Sequence, residues 1–238
     1  MKQLRAELHA QADPVKARLS ARFFKTGPGD YAEHDRFLGI TVPALRSLAR
    51  LHRTLPPEHA LAFVQSPWHE ERMLGLLLWM EAWKLAGRSS PEASEDTKRR
   101  INDLLLEHRA HVNNWDLVDI AVPTLLGEWL LAHPDPALLD RLCASPVLWE
   151  RRMAVIATFA AIRAGSFTDI LRLCEALLCD PHDLMHKACG WMLRETGKRD
   201  TQVLRQFLSN HAPRMPRTML RYCVERMDAT ERRRWMGA

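Results

Sequence analysis

The sequence predicts an all-α chain, a solenoid of stacked helix pairs, and three observations carry that prediction. Apolar residues recur at three- and four-residue spacing, as in Val42, Leu45, Leu48 and Leu51, and no stretch shows the two-residue alternation of a strand. Proline opens one segment after another, following a capping or turn residue. Finally, the segments repeat. Trp68-His69-Glu70-Glu71-Arg72-Met73 aligns with Leu148-Trp149-Glu150-Arg151-Arg152-Met153 and with Leu184-Met185-His186-Lys187-Ala188, each preceded by Ser-Pro or Asp-Pro.

In chain order, residues 1–24 read as amphipathic helix with a restart at Asp13-Pro14, where Asp13 is the N-cap and Pro14 the first helical position. Lys25-Thr26-Gly27-Pro28-Gly29-Asp30 is a loop, because two glycines and a proline disfavour regular structure. Thr41-Val42-Pro43, Pro56-Pro57-Glu58 and Ser66-Pro67-Trp68 each open a helix, the last running to Trp83. Gly87 to Pro91 and the acidic Glu92 to Asp96 form a connection. Further helices are expected at about 97–110, 114–132, 135–143, 147–164, 168–178, 182–197, 200–210 and 216–227.

The stretch Asn114-Trp115-Asp116-Leu117-Val118-Asp119 falls into the repeat series with Asp119 at the recurring ionisable position. Arg72, Asp119, Arg152 and Lys187 are 47, 33 and 35 residues apart, and the long first step contains the polar connection. A period in the thirties made of helix pairs marks a solenoid, in which no pair buries its apolar face alone. Equivalent positions line up along one surface, so the register predicts a groove lined by three basic residues and one acid. Pairing of the four inside the solenoid is the plainer alternative. Trp115 and Asp119 are four apart and share a helix face, as do Lys187 and Trp191. An aromatic face beside a carboxylate suits a cationic guest. Trp79, Trp83, Trp129 and Trp235 read as packing residues.

Charge narrows the partner. The 238 residues carry a net +5, and from Lys198 to Ala238 ten Lys/Arg face four Asp/Glu, so the excess sits at that end. A basic end fits a polyanion, most simply nucleic acid, or a solvated tail. Five scattered cysteines without a Cys-x-x-Cys pair argue for small core residues in a reducing cytoplasm. The charged start, Met1-Lys2-Gln3-Leu4-Arg5, lacks the apolar segment of a signal peptide, and no apolar run approaches the roughly 20 residues of a bilayer span. His182 and His186 stand four apart but lack a third ligand, and no glycine-rich phosphate loop or nucleophile elbow occurs, so no metal or cofactor is expected.

Taken together, these motifs resemble the AlkD-like DNA glycosylases of the DNA alkylation repair family. The resemblance covers about Asp13 to Met227. It is sharpest at Asn114 to Asp119, at Leu148-Trp149-Glu150-Arg151-Arg152, at His186-Lys187-Ala188-Cys189-Gly190-Trp191, and at Pro213-Arg214-Met215-Pro216-Arg217 with Leu220-Arg221-Tyr222. It implies an α-α superhelix of HEAT-like repeats with a concave basic groove, forming one domain over residues 1–238. It also implies excision of cationic N3- and N7-alkylated purines from duplex DNA; nothing in the sequence requires more than a monomer. The catalytic carboxylate falls on Asp119, the groove tryptophans on Trp115 and Trp191, and a DNA-binding arginine on Arg152. Lys187, Arg194, Lys198, Arg217 and Arg221 are expected to grip phosphates. The alternatives are a non-enzymatic protein of the same fold that binds damaged or branched DNA, and a peptide-binding solenoid.

Overall fold

The computed structural model describes residues 1–237. Among them no strand forms, and the β-like pairing is confined to an isolated bridge between Arg36 and Trp68. The chain makes two compact units, Met1–Ala121 and Val122–Ala238.

The first unit contains α1 (Lys2–His9), α2 (Pro14–Phe23), α3 (Val42–Leu51), α4 (Pro57–Val64), α5 (His69–Ala86), α6 (Pro91–Glu107), a 3-10 turn at Arg109–His111, and the body of α7 (Trp115–Val122). Helix α5 is its centre and packs against α3, α4 and α6. Every residue from Met73 to Met80 is buried, as expected of a helix apolar on all sides. Each fully buried leucine there contributes about 1.5–3 kcal/mol. Gly75 lets α4 lie close, because a Cβ at that position would come within 2.7 Å of the Val64 backbone nitrogen.

The second unit begins with a π-helical turn at Pro123–Glu128, followed by α8 (Trp129–Ala132), α9 (Pro136–Cys143), α10 (Leu148–Ala157), α11 (Phe159–Arg163), α12 (Thr168–Ala176), α13 (Asp183–Arg199) and α14 (Thr201–His211). A 3-10 turn at Ala212–Arg214, α15 (Arg217–Cys223) and α16 (Ala229–Met236) complete it. Helix α13 is the centre here and packs against α10, α11, α12, α14 and α15. Cys143, Cys174, Cys189 and Cys223 are buried as free thiols, and Cys179 is exposed.

Capping chemistry sets many of the boundaries. Asp13, Asp135, Asp200 and Asp228 each accept backbone N–H bonds in the first turn of the helix that follows. Three expectations are corrected. Residues 91–96 are helix rather than connection: Ser90 caps Ala93, and Glu92 stands in the first turn of α6, where the helix dipole favours an acid. The 147–164 helix breaks at Thr158, whose hydroxyl donates to the Val155 carbonyl at 2.7 Å. The expected 114–132 helix is α-helical only to Val122, since Pro123 cannot donate a main-chain bond and the chain widens into the π turn.

Candidate functional site

Helix α7 begins where two asparagines end the preceding loop. Asn114 is fully buried; its Oδ1 accepts from the Trp115 backbone N–H at 2.8 Å and its Nδ2 donates to Asp35 Oδ2 at 2.9 Å. Leu117, Val118 and Ala121 face the interior and are fully buried. Trp115 and Asp119 lie one turn apart on the helix, each half-buried.

Beneath that start lies a buried network built from the first turn of α5, in which His69, Glu70, Glu71 and Arg72 are all buried. Between them they reach α1, α7 and the loop before α3. The His69 ring donates from Nε2 to Asp116 Oδ2 at 2.8 Å and from Nδ1 to Asp35 Oδ2 at 3.2 Å. Glu70 accepts from the backbone N–H groups of Leu38, Gly39 and Ile40. Glu71 accepts from Arg5 Nε at 3.0 Å and binds His9 Nε2 at 2.6 Å, tying down α1. Arg72 donates to Asp35 Oδ1 at 2.5 Å and to the Ser66 carbonyl at 3.1 Å.

The electrostatics follow from these partners. Burial alone would strip the proton from His69, but the hydrogen bonds to Asp116 and Asp35 outweigh it and raise its pKa to about 9. The ring is therefore an imidazolium at neutral pH and donates from both nitrogens. Burial likewise pushes the Asp35 carboxyl upward, yet His69, Arg72 and Asn114 together hold it below the usual range. Among the described residues, Arg72 Nε is the one buried side-chain donor of this network without a hydrogen-bond partner.

An aromatic layer covers the network. The Phe24 ring stacks on Trp115, centroids 5.4 Å apart, and on Phe37 at 5.2 Å, and it lies 4.9 Å from the His69 ring. Phe23, at the end of α2 and 66% exposed, meets Trp115 edge-on at 6.1 Å.

In the second unit, Trp191 sits half-buried on α13; its Nε1 donates to Glu195 Oε1 at 3.2 Å and its ring lies 6.1 Å from Phe159. Lys187 pairs with Asp183 at 2.8 Å and Lys198 with Glu195 at 2.6 Å, both on that helix. Arg194 is paired with Glu225 and only 17% of its side chain is exposed. Arg217 and Arg221 are exposed on α15; Arg217 donates to the Met236 carbonyl, and Arg221 lies over the Tyr222 ring.

The predicted row of groove-lining bases is corrected at Arg72, which is 4% exposed and locked to Asp35. Arg152 is equally enclosed and donates to the Leu184 carbonyl at 2.5 Å, bracing the first turn of α13. The recurring basic residue is thus an internal brace at these two positions, holding the earlier Asp35 loop at Arg72 and the start of α13 at Arg152. His182 and His186 are likewise engaged by backbone: His182 Nδ1 accepts from the Leu184 N–H, and His186 Nε2 binds the Asp180 carbonyl. Among the described residues no helix is long and apolar enough to cross a membrane.

Sequence reasoning missed Asp35, His69 and Phe24. One signal was available for His69: four consecutive charged or titratable residues, His69 to Arg72, opening the helix that carries the apolar run Leu74 to Met80. Nothing local marked Asp35, whose partners stand 34, 37 and 79 residues away.

The fold is all-α and helical-repeat, and its helix α7 carries a tryptophan and a carboxylate one turn apart. The chain belongs to the family of DNA alkylation repair enzymes, whose model matches residues 4–227. Membership places its role in the repair of alkylation damage, with DNA as partner. A solved structure described as a predicted DNA alkylation repair enzyme from Enterococcus faecalis has the same fold. Its TM-score is 0.67 at 17% identity, covering 92% of this chain and 98% of that one. No curated protein sequence matches the chain.

Proposed function

We propose that the chain is a DNA N-glycosylase that hydrolyses the N-glycosidic bond of cationic N3- and N7-alkylated purines in duplex DNA. The observation that carries this reading is the pairing of Trp115 and Asp119 on one face of α7, at a helix start braced by Asn114 and Asp116.

The chemistry suits those residues. Alkylation at N3 or N7 leaves a positive purine, which departs with the electron pair of its bond to C1′ and becomes neutral. Little acid catalysis is required. The sugar gains positive charge as the bond breaks, and a carboxylate nearby stabilises that charge. Water supplies the oxygen that bonds to C1′, and its proton passes to Asp119 or to solvent. Trp115 and Trp191 hold the deoxyribose by face contacts, each worth roughly 0.5–2 kcal/mol toward a cation.

On this reading, residues 1–238 act as one functional domain, a monomer in the cytoplasm with no cofactor. Asp119 acts at the sugar, and Lys187, Lys198, Arg217 and Arg221 bind phosphates. Arg152 and Arg194 would contact DNA only by exchanging their present partners, the Leu184 carbonyl and Glu225.

The test is release of 7-methylguanine from methylated duplex DNA by wild type and by Asp119→Asn. Wild type is expected to release base; the variant is expected to bind the same DNA and release none. Full release by Asp119→Asn would remove the assignment. Binding without release by both proteins, on N3-methyladenine as well, would favour a non-enzymatic binder of damaged DNA.

A further inference from the structure

We propose that His69 is a positioning residue for this reaction: clamped between Asp35 and Asp116, it fixes the roll of α7 and so aims Trp115 and Asp119. The inference rests on the glycosylase reading for its activity readout, but the clamp itself stands on geometry.

A helix turns about 100° per residue, so anchors two residues apart hold it from nearly opposite sides and leave its first turn no freedom to roll. Asn114 and Asp116 are those anchors, on either side of Trp115. Both lead to the same place: Asn114 to Asp35 directly, Asp116 to Asp35 through the His69 ring. Asp35 is in turn fixed by Arg72. The second carboxylate of the α7 start is therefore a handle on the helix, already engaged by His69 and turned away from chemistry.

The charged groups facing His69 are Arg72 from its own helix, Asp35 from the loop before α3, and Asp116 from α7; Phe24 and Phe37 close the remaining sides. Only the imidazolium can donate to both carboxylates. A neutral ring has one N–H, so one arm of the clamp must open when the proton leaves. That arm either frees the α7 handle or releases Asp35 beneath Asn114.

The experiment compares wild type with His69→Gln, which retains a donor but no charge, in single-turnover excision of 7-methylguanine and in affinity for the same DNA, from pH 6 to 10. The expected result is a rate loss of roughly 10- to 100-fold, the scale set by misplacing a reacting group by about 1 Å, with affinity changed less than about twofold. The wild-type rate should also fall above about pH 9, and His69→Gln should lack that limb. A merely structural residue would lower the yield of folded protein and leave the pH profile of the folded fraction unchanged.

Should His69→Gln fail to fold, Asp116→Asn takes its place; its weakened arm should lower the rate and move the limb to lower pH. A variant with the wild-type rate and the wild-type limb overturns the proposal. If wild type releases no alkylated base at all, the glycosylase reading fails. The clamp is then decided by the fluorine resonance of Trp115 in 5-fluorotryptophan-labelled protein, assigned by its loss in Trp115→Phe. That signal should titrate near pH 9 in wild type and stay constant in His69→Gln. Identical titrations in both proteins overturn the clamp.

Discussion

The indole of Trp115 lies against the ring of Phe24, centroids 5.4 Å apart and planes 26° from parallel, so the proposed DNA-facing tryptophan rests on a residue from the end of another element. Phe24 also stacks on Phe37, which places one side chain in the middle of a three-ring layer over His69.

Phe24→Ala should therefore do two things. It removes two stacked contacts and part of a half-buried ring, at a cost of about 2–3 kcal/mol. It also leaves Trp115 unsupported on that side. Urea denaturation measures the first effect. Excision by the folded variant measures the second, which should exceed the loss seen for an exposed control such as Leu51→Ala.

Stability should depend on pH on both sides of neutrality. The folded His69 pKa of about 9 lies above its unfolded value of about 6.5. Its contribution is thus fully present below about pH 6.5 and is lost as pH rises through about 9. The shift corresponds to a loss on the order of 3 kcal/mol. Asp35 works in the opposite sense: its depressed pKa adds stability above about pH 4 that disappears as acid protonates it. Denaturation curves from pH 3 to 10 test both, and His69→Gln should lack the alkaline loss.

Gly190→Ala should separate two helices of the second unit. A Cβ at Gly190 would come within 2.5 Å of the Met219 carbonyl and 2.6 Å of the Tyr222 Cβ. Overpacking of this sort costs about 1–3 kcal/mol, or several degrees in Tm for a chain of this size. Because Trp191 is the next residue along α13, excision should fall with it. A variant with unchanged Tm would show that α13 and α15 can move apart freely.

Arg221→Ala should act on affinity alone. The side chain is exposed, and Tyr222 is its ring partner. If it binds a phosphate, its loss reduces the slope of log affinity against log salt by about 1 and leaves the single-turnover rate intact. An unchanged slope would take Arg221 out of the interface.

Much of this architecture is legible in the sequence, because helix caps are local. Asp13-Pro14, Asp135-Pro136 and Asp200-Thr201 announce starts that the structure keeps. The same rules applied to Ser90-Pro91-Glu92 would have begun α6 there, but the run of acids reads more readily as solvated loop. Helix α16 is short and charge-rich, with no buried residue, and offers no apolar period to detect. The repeat register was also visible, and its arginines do recur. Their meaning was not visible: a cation at the start of a helix can face a polyanion or brace a neighbouring segment, and spacing is the same in both cases. Burial decides, and at Arg72 it depends on Asp35, a residue 37 positions away.

The cysteines carry a practical consequence. Four of the five thiols are buried, and burial raises the pKa of Cys143, Cys174 and Cys223, which keeps them as unreactive thiols. Cys179, in the short connection after α12, is the exception. The native chain therefore offers a single addressable thiol: a maleimide dye on Cys179 would report individual protein molecules arriving on and leaving a DNA strand, with no residue replaced to make the label specific.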